Sequence, residues 1–303
     1  MVDLPVVLFR KRMRGPCSEK WIQRYLARNL YSSVMARLAI FLPSILLLLA
    51  CGGPSYNDPV PEHDSFTIES QRLGETRTIN VWVPPVYADG TTRLPVLYMP
   101  DGGIVGEDFP HIANTLAELI EAGRIRPIML VGIANTDRKR DLTGPTAVES
   151  DLQLAPTGGG AENFRTFISD ELFPEIDRRY RTTGEKGLIG ESLAGLFTTE
   201  TFLVHPELFD FYIAFDPSLW WNGTSLVGAA DNLLNRFPPR PTRFWFASSS
   251  AEDIQPVAAQ LAEDLKAYAP ANVQWTYVPM PKEKHNTIFR AGKVEGIEWA
   301  VGR

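Results

Sequence analysis

Apolar and polar positions alternate with a period of two in Ser65-Phe-Thr-Ile-Glu69 and again in Arg77-Thr-Ile-Asn-Val-Trp-Val83. Period-two alternation is the mark of a half-buried strand, so these runs predict an opening antiparallel pair. From Pro95 onward the pattern changes, and short continuous apolar runs alternate with stretches of helical period. The runs Pro95–Met99, Ile128–Ile133 and Gly187–Gly190 read as strands, and His111–Glu121, Ala161–Tyr180 and Leu193–Val204 as helices. Further strand runs follow near residues 211, 244 and 274, with helical stretches near 226, 255 and 288. Strands that are apolar throughout are buried on both faces, so the alternation predicts an α/β fold: a mostly parallel central sheet covered by helices in three layers.

The sharpest chemistry lies in Gly190-Glu-Ser-Leu-Ala-Gly195, between a predicted strand and a predicted helix. A loose Gly-x-Ser-x-x-Gly pattern arises by chance in roughly one chain in ten. The strand before it and the helix after it are what make Ser192 a candidate nucleophile on a tight elbow, rather than a helix N-cap. Gly190 and Ala194 are small, as a sharp turn requires. In hydrolases of this type the acid and then the histidine follow the serine in the chain. His63 and His111 precede Ser192, and His205 follows too closely to leave room for another strand and the acid, so His285 is the candidate base. It lies in Pro281–Phe289, a loop between the strand run Val273–Val278 and a terminal helical stretch.

The acid should stand on a loop at a strand end, where it can hold the imidazole in its proton-accepting tautomer. Glu252 and Asp253 follow the aromatic run Arg243-Phe-Trp-Phe-Ala247, and Asp216 closes the run Phe211–Phe215, so three carboxylates qualify. The loop Met99-Pro-Asp-Gly-Gly-Ile104 brings glycine backbone near a substrate carbonyl. By position, Gly103, with Gly102 next to it, is expected to share an oxyanion hole with the N–H of Leu193.

The first fifty residues change the setting. Met35 opens a basic start followed by an apolar run of about a dozen residues, too short to span a bilayer and suited to a signal-peptide core. Leu-Leu-Ala-Cys51 followed by Gly52-Gly53 resembles a bacterial lipobox, with Cys51 the lipidated first residue of the mature chain. Residues 1–50 are therefore read as a leader with Met35 as an alternative start, 51–64 as a flexible tether, and 65–303 as one catalytic domain. The implied location is that of an exported bacterial lipoprotein, anchored on the periplasmic or cell-surface side. An uncleaved anchor is the competing reading. The chain has two cysteines, Cys17 and Cys51, so a mature chain beginning at Cys51 has no disulfide and no cysteine-based metal site.

Charge narrows the partners. The chain carries 30 Lys and Arg against 36 Asp and Glu; residues 1–50 hold 8 and 2 of these, leaving 22 against 34, a net of −12. So acidic a domain is not expected to bind nucleic acid, and membrane attachment would rest on the acyl chains of Cys51.

Several segments together resemble a known group. They are Arg77–Pro84, Tyr98-Met-Pro-Asp-Gly102, Glu171-Leu-Phe-Pro-Glu-Ile176, Gly190–Phe197, Asp216-Pro-Ser-Leu-Trp-Trp221 and His285. From about residue 65 to its end the chain is similar to the esterase family of α/β hydrolases that includes enterobactin-type siderophore esterases, esterase D-like enzymes and feruloyl esterases. The resemblance implies the α/β-hydrolase fold and serine-dependent hydrolysis of a small-molecule ester through an acyl-enzyme, with no cofactor and no metal. It places the acid four residues into the loop after the aromatic strand, at Glu252. Two departures stand out: Ala194 where glycine is usual, and Asp216 where serine is common. Arg138-Lys-Arg-Asp-Leu-Thr-Gly-Pro145 looks like the arginine-containing segment of enterobactin-type esterases, which makes Arg140 a candidate for binding an anionic siderophore. Of Trp220 and Trp221 one is expected in the core and one on the cleft, with Trp221 taken as the substrate contact. Two rival readings are acyl transfer to another acceptor through the same acyl-enzyme, and an inactive tethered binding protein.

Overall fold

The structure, a computed structural model, describes residues 58–302. The leader, Met35, Cys51 and the tether up to residue 57 lie outside the described residues.

Among the described residues, eight strands form a single sheet: β1 (Asp64–Ser70), β2 (Glu75–Trp82), β3 (Leu94–Pro100), β4 (Met129–Ile133), β5 (Thr182–Glu191), β6 (Phe211–Phe215), β7 (Thr242–Ser248) and β8 (Val273–Pro279). Their order is β1-β2-β4-β3-β5-β6-β7-β8. β2 pairs antiparallel with β1 and with β4, and the remaining pairings are parallel. This is the α/β-hydrolase arrangement. The chain winds outward from β3 to β4 in one direction and then from β5 to β8 in the other, so the order reverses between β3 and β5. At such a switch point the loops leaving the strand ends diverge and open a crevice for ligands.

Side-chain alternation along the central strands feeds two cores. Val96, Tyr98 and Leu188 face one side, packed under helices Leu193–Val204 and Gln255–Tyr268 and the helical stretch beginning at Ala161. Leu97, Met99 and Ile189 face the other, under Phe109–Glu121 and the terminal helix Ile288–Val301. The stretch expected as one helix over Ala161–Tyr180 is interrupted by a π turn at Ile168–Leu172. Two short helices, Arg138–Leu142 and Glu149–Leu154, went unread in the sequence, because neither is long enough to develop an apolar stripe.

The segment read as a tether is anchored where it is described. Asp58 pairs with Arg290 at 2.6 Å, and the Asn114 side-chain amide donates to the Pro59 carbonyl.

Candidate active site

Ser192 follows the last residue of β5 and has φ 61° and ψ −119°. A non-glycine residue there is strained, and the surroundings impose the strain: the Ser192 N–H donates to the Phe215 carbonyl on β6, and its own carbonyl accepts from Leu196 and Ser218. Gly190 leaves no room for a side chain, since a Cβ there would lie 2.4 Å from the Ala194 carbonyl oxygen. This is the physical reason for the small residues flanking the serine.

The His285 loop is stitched to the end of β7, where Ser250 N–H and Oγ both reach the Glu283 carbonyl. From it the imidazole places Nε2 3.1 Å from Ser192 Oγ and Nδ1 2.9 Å from Asp216 Oδ2. The Asp216 side chain is fully buried, and its other oxygen accepts from the Ser249 N–H at 2.6 Å. The geometry assigns Nδ1–H as donor to Asp216, leaving Nε2 to accept from the serine hydroxyl. Asp216, more than burial opposes, holds the His285 pKa above the ordinary imidazole value.

Glu252 does not occupy the acid position. It is exposed in the turn after β7, beside a shallow apolar cavity that also borders Pro256, Pro279 and Pro281. Asp216 has the position because β6 lies directly beside β5: Glu191 pairs with Phe215, so the next residues on the two strands, Ser192 and Asp216, leave the sheet as neighbours. The imidazole has one Nδ1–H, and Asp216 takes it. Asp253 is also exposed; its charge contributes only weakly to the His285 shift.

The loop after β3 reaches the same crevice. Tyr98 pairs with Leu188 on β5, and past the strand ends Arg138 links the loop to the elbow, holding Asp101 while one of its nitrogens reaches the Glu191 carbonyl at 3.5 Å. Gly102 packs on β4 so closely that a Cβ would meet the Gly132 Cα at 2.3 Å, and Asn80 holds its carbonyl. Asp101 braces the loop, with Arg138 bidentate on its carboxylate and Asn135 donating to it. The Gly103 N–H donates to Glu107 Oε2 at 2.7 Å. Leu193 is the first residue of the elbow helix, where backbone N–H groups have no intrahelical partner.

Arg140 is not directed at a ligand. Its guanidinium binds Glu75 and Asp141, and Asp141 in turn neutralises the buried Arg77. Lys139 donates to the Leu154 carbonyl, so the basic segment is spent on internal partners, because charges beside a buried arginine must be balanced where they stand. Trp221 is likewise not on the open cleft: it is 5% exposed and its indole N–H donates to the Gly144 carbonyl, leaving Trp220 as the more exposed of the pair.

Carboxyl groups the sequence did not single out also lie close to the site. Burial pushes Glu191, next to the serine, up to about 8 and Asp108 up to about 6. The one available signal for Glu191 was adjacency to Ser192, and for Glu107 its place four residues after Gly103.

Residues 70–291 match the family described as "Putative esterase". The chain belongs to this esterase family. It is 31% identical over 260 residues to the ferri-bacillibactin esterase BesA of Bacillus subtilis (strain 168), covering 78% of this chain and 89% of that one. It is 32% identical over 185 residues to a siderophore triacetylfusarinine C esterase of Aspergillus fumigatus, covering 57% and 61%. Among solved structures, an IroE-like serine hydrolase from Shewanella oneidensis superposes with a TM-score of 0.72 at 27% identity, covering 78% and 79%. The esterase is thus a serine carboxylic ester hydrolase.

Proposed function

We propose that Ser192, His285 and Asp216 carry out two-step ester hydrolysis, and that the natural substrate is a siderophore-type ester. The observation that carries the reading is the continuous hydrogen-bonded line from Ser192 Oγ through the imidazole to the buried Asp216 carboxylate. Ser192 Oγ attacks the ester carbonyl as Nε2 takes its proton. The N–H groups of Gly103 and Leu193 receive the developing oxyanion, and Asp216 keeps the imidazole oriented and stabilises its charged form. His285 then gives the proton to the leaving alkoxide. Water enters, is deprotonated by the same nitrogen, and releases the acid and the free serine.

The siderophore reading draws on the substrates named for BesA and the Aspergillus esterase. We propose further that Cys51 is lipidated and anchors the esterase to a bacterial membrane on the periplasmic or cell-surface side; the lipobox-like Leu-Leu-Ala-Cys51 supports this. Cys51→Ala should then shift the protein from the membrane to the soluble fraction.

Ser192→Ala should abolish hydrolysis of short p-nitrophenyl esters and labelling by a fluorophosphonate while leaving the melting temperature within a few degrees. Mass spectrometry of products from an ester panel that includes trilactone siderophores decides the substrate: preferential cleavage of a simple aryl ester over every trilactone would rule out the siderophore reading.

A further inference from the structure

The Gly103 N–H, assigned above to the oxyanion, already has a partner. After Gly103 the chain passes through Val105, which is 91% exposed, and Gly106 at φ 73°, and turns back so that the Glu107 carboxylate lies directly over Gly103. Glu107 Oε2 is 2.7 Å from the Gly103 nitrogen, and a Cβ on Gly103 would meet the carboxyl carbon at 2.8 Å. The Asn135 N–H approaches the same carboxylate at 3.3 and 3.4 Å.

The charged groups around it do not draw it elsewhere. Asp101 and Asp108 repel it, and Arg138, the nearby cation, commits two nitrogens to Asp101. Burial raises the Glu107 carboxyl above its ordinary value, and the Gly103 and Asn135 amides oppose that rise. The Gly103 and Asn135 N–H groups thus hold the carboxylate in place, assisted by the Asn135 side chain and the more distant charge of Arg138.

An N–H offers one proton. A carboxylate accepts it more strongly than an ester carbonyl does, and a negative charge beside the developing oxyanion opposes the transition state. We infer that Glu107 is a built-in occupant of the oxyanion subsite, which the ester carbonyl must displace from Gly103 before Ser192 can react. This rests on the serine-esterase reading. The hinge for the displacement is the exposed pair Val105-Gly106, where a change in backbone angles can swing the carboxylate toward solvent without disturbing β3.

The test is steady-state hydrolysis of p-nitrophenyl acetate and butyrate, together with the rate of fluorophosphonate labelling at Ser192, for wild type, Glu107→Ala and Glu107→Gln, with thermal melts as the folding control. Glu107→Ala should raise kcat/KM about fivefold or more and speed labelling by a similar factor. Glu107→Gln should fall between, since a neutral amide oxygen still accepts from Gly103 but holds it less strongly. Unchanged rates in both folded variants would overturn the inference. So would a loss in the alanine variant that glutamine restores, because that pattern means Glu107 only braces the loop. Should the alanine variant melt early, the glutamine variant decides by the same criterion. A folded wild type that neither hydrolyses the esters nor is labelled at Ser192 would instead defeat the esterase reading, and this inference with it.

Discussion

Asp216 takes the place expected of Glu252, and the exchange has measurable consequences. Removing the charge but keeping the shape, Asp216→Asn, should lower kcat by about 10³–10⁴-fold, because the amide favours the wrong imidazole tautomer. Glu252→Gln should leave kcat within about twofold, since an exposed carboxylate outside the hydrogen-bonded line contributes little. Measuring both variants on one ester settles the assignment, and a severe loss in the Glu252 variant alone would return the acid to the β7 loop. The pH profile carries a second sign. His285 must be neutral to accept the serine proton, and Asp216 raises its pKa. The acidic limb of kcat/KM should therefore lie above the ordinary imidazole value, and the residual activity of Asp216→Asn should have its limb at lower pH. The histidine could be found from chain order alone. The acid could not, because three carboxylates stood at strand ends and only pairing between β5 and β6 sets one of them beside the serine.

The short helix Arg138–Leu142 illustrates how an element can look like a binding motif and serve the fold. Three successive cations on an acidic domain suggested an anion site. In the structure Asp141 of the same segment neutralises Arg77, a fully buried arginine on β2, and Arg140 closes the network onto Glu75. Asp141→Asn should therefore destabilise the protein by roughly 3 kcal/mol, the cost of leaving a buried guanidinium short of its partner. Chemical denaturation measures this, and kcat should change far less than stability does. Arg138 instead clamps Asp101 on the loop after β3, so neighbouring residues of one helix brace two different parts of the fold. Charge pattern reveals that such a segment is unusual; what it pairs with depends on β2 and β3, which are distant in the chain. The strands, by contrast, were readable in advance because burial on both faces leaves no polar positions to blur the run.

Across the whole molecule, His111 ties together parts of the chain far apart in sequence. Its Nδ1 meets Asp58 at 3.2 Å and its Nε2 meets Lys293 at 2.8 Å, joining the start of the described chain to the terminal helix. Burial, aided by Lys293 and Arg290, lowers the His111 pKa to about 4 from 6.5. The unfolded chain therefore binds a proton between these values that the folded chain refuses, and the His111 contribution to stability falls as pH drops from 6.5 to 4, by roughly 3 kcal/mol, while the raised carboxyls of Glu191 and Asp108 work in the opposite direction. Arg290 holds the Asp58 carboxyl down at about 2, so Asp58 stays ionised throughout that window and the loss belongs to His111. Denaturant midpoints of wild type and His111→Gln should diverge across it, with the variant losing less; parallel curves would refute the assignment. On its own the sequence determined the α/β layering, the nucleophile elbow and its histidine, because hydrophobic period, small flanking residues and chain order are local or ordinal properties. Only the tertiary structure decided the acid, the partner of the Gly103 amide and the internal use of Arg140 and Trp221. The acid depends on β5 and β6 ending side by side, and Arg140 and Trp221 on partners 65 and 77 residues away, while Glu107, only four residues from Gly103, is set over it by a turn whose backbone angles no hydrophobic pattern encodes.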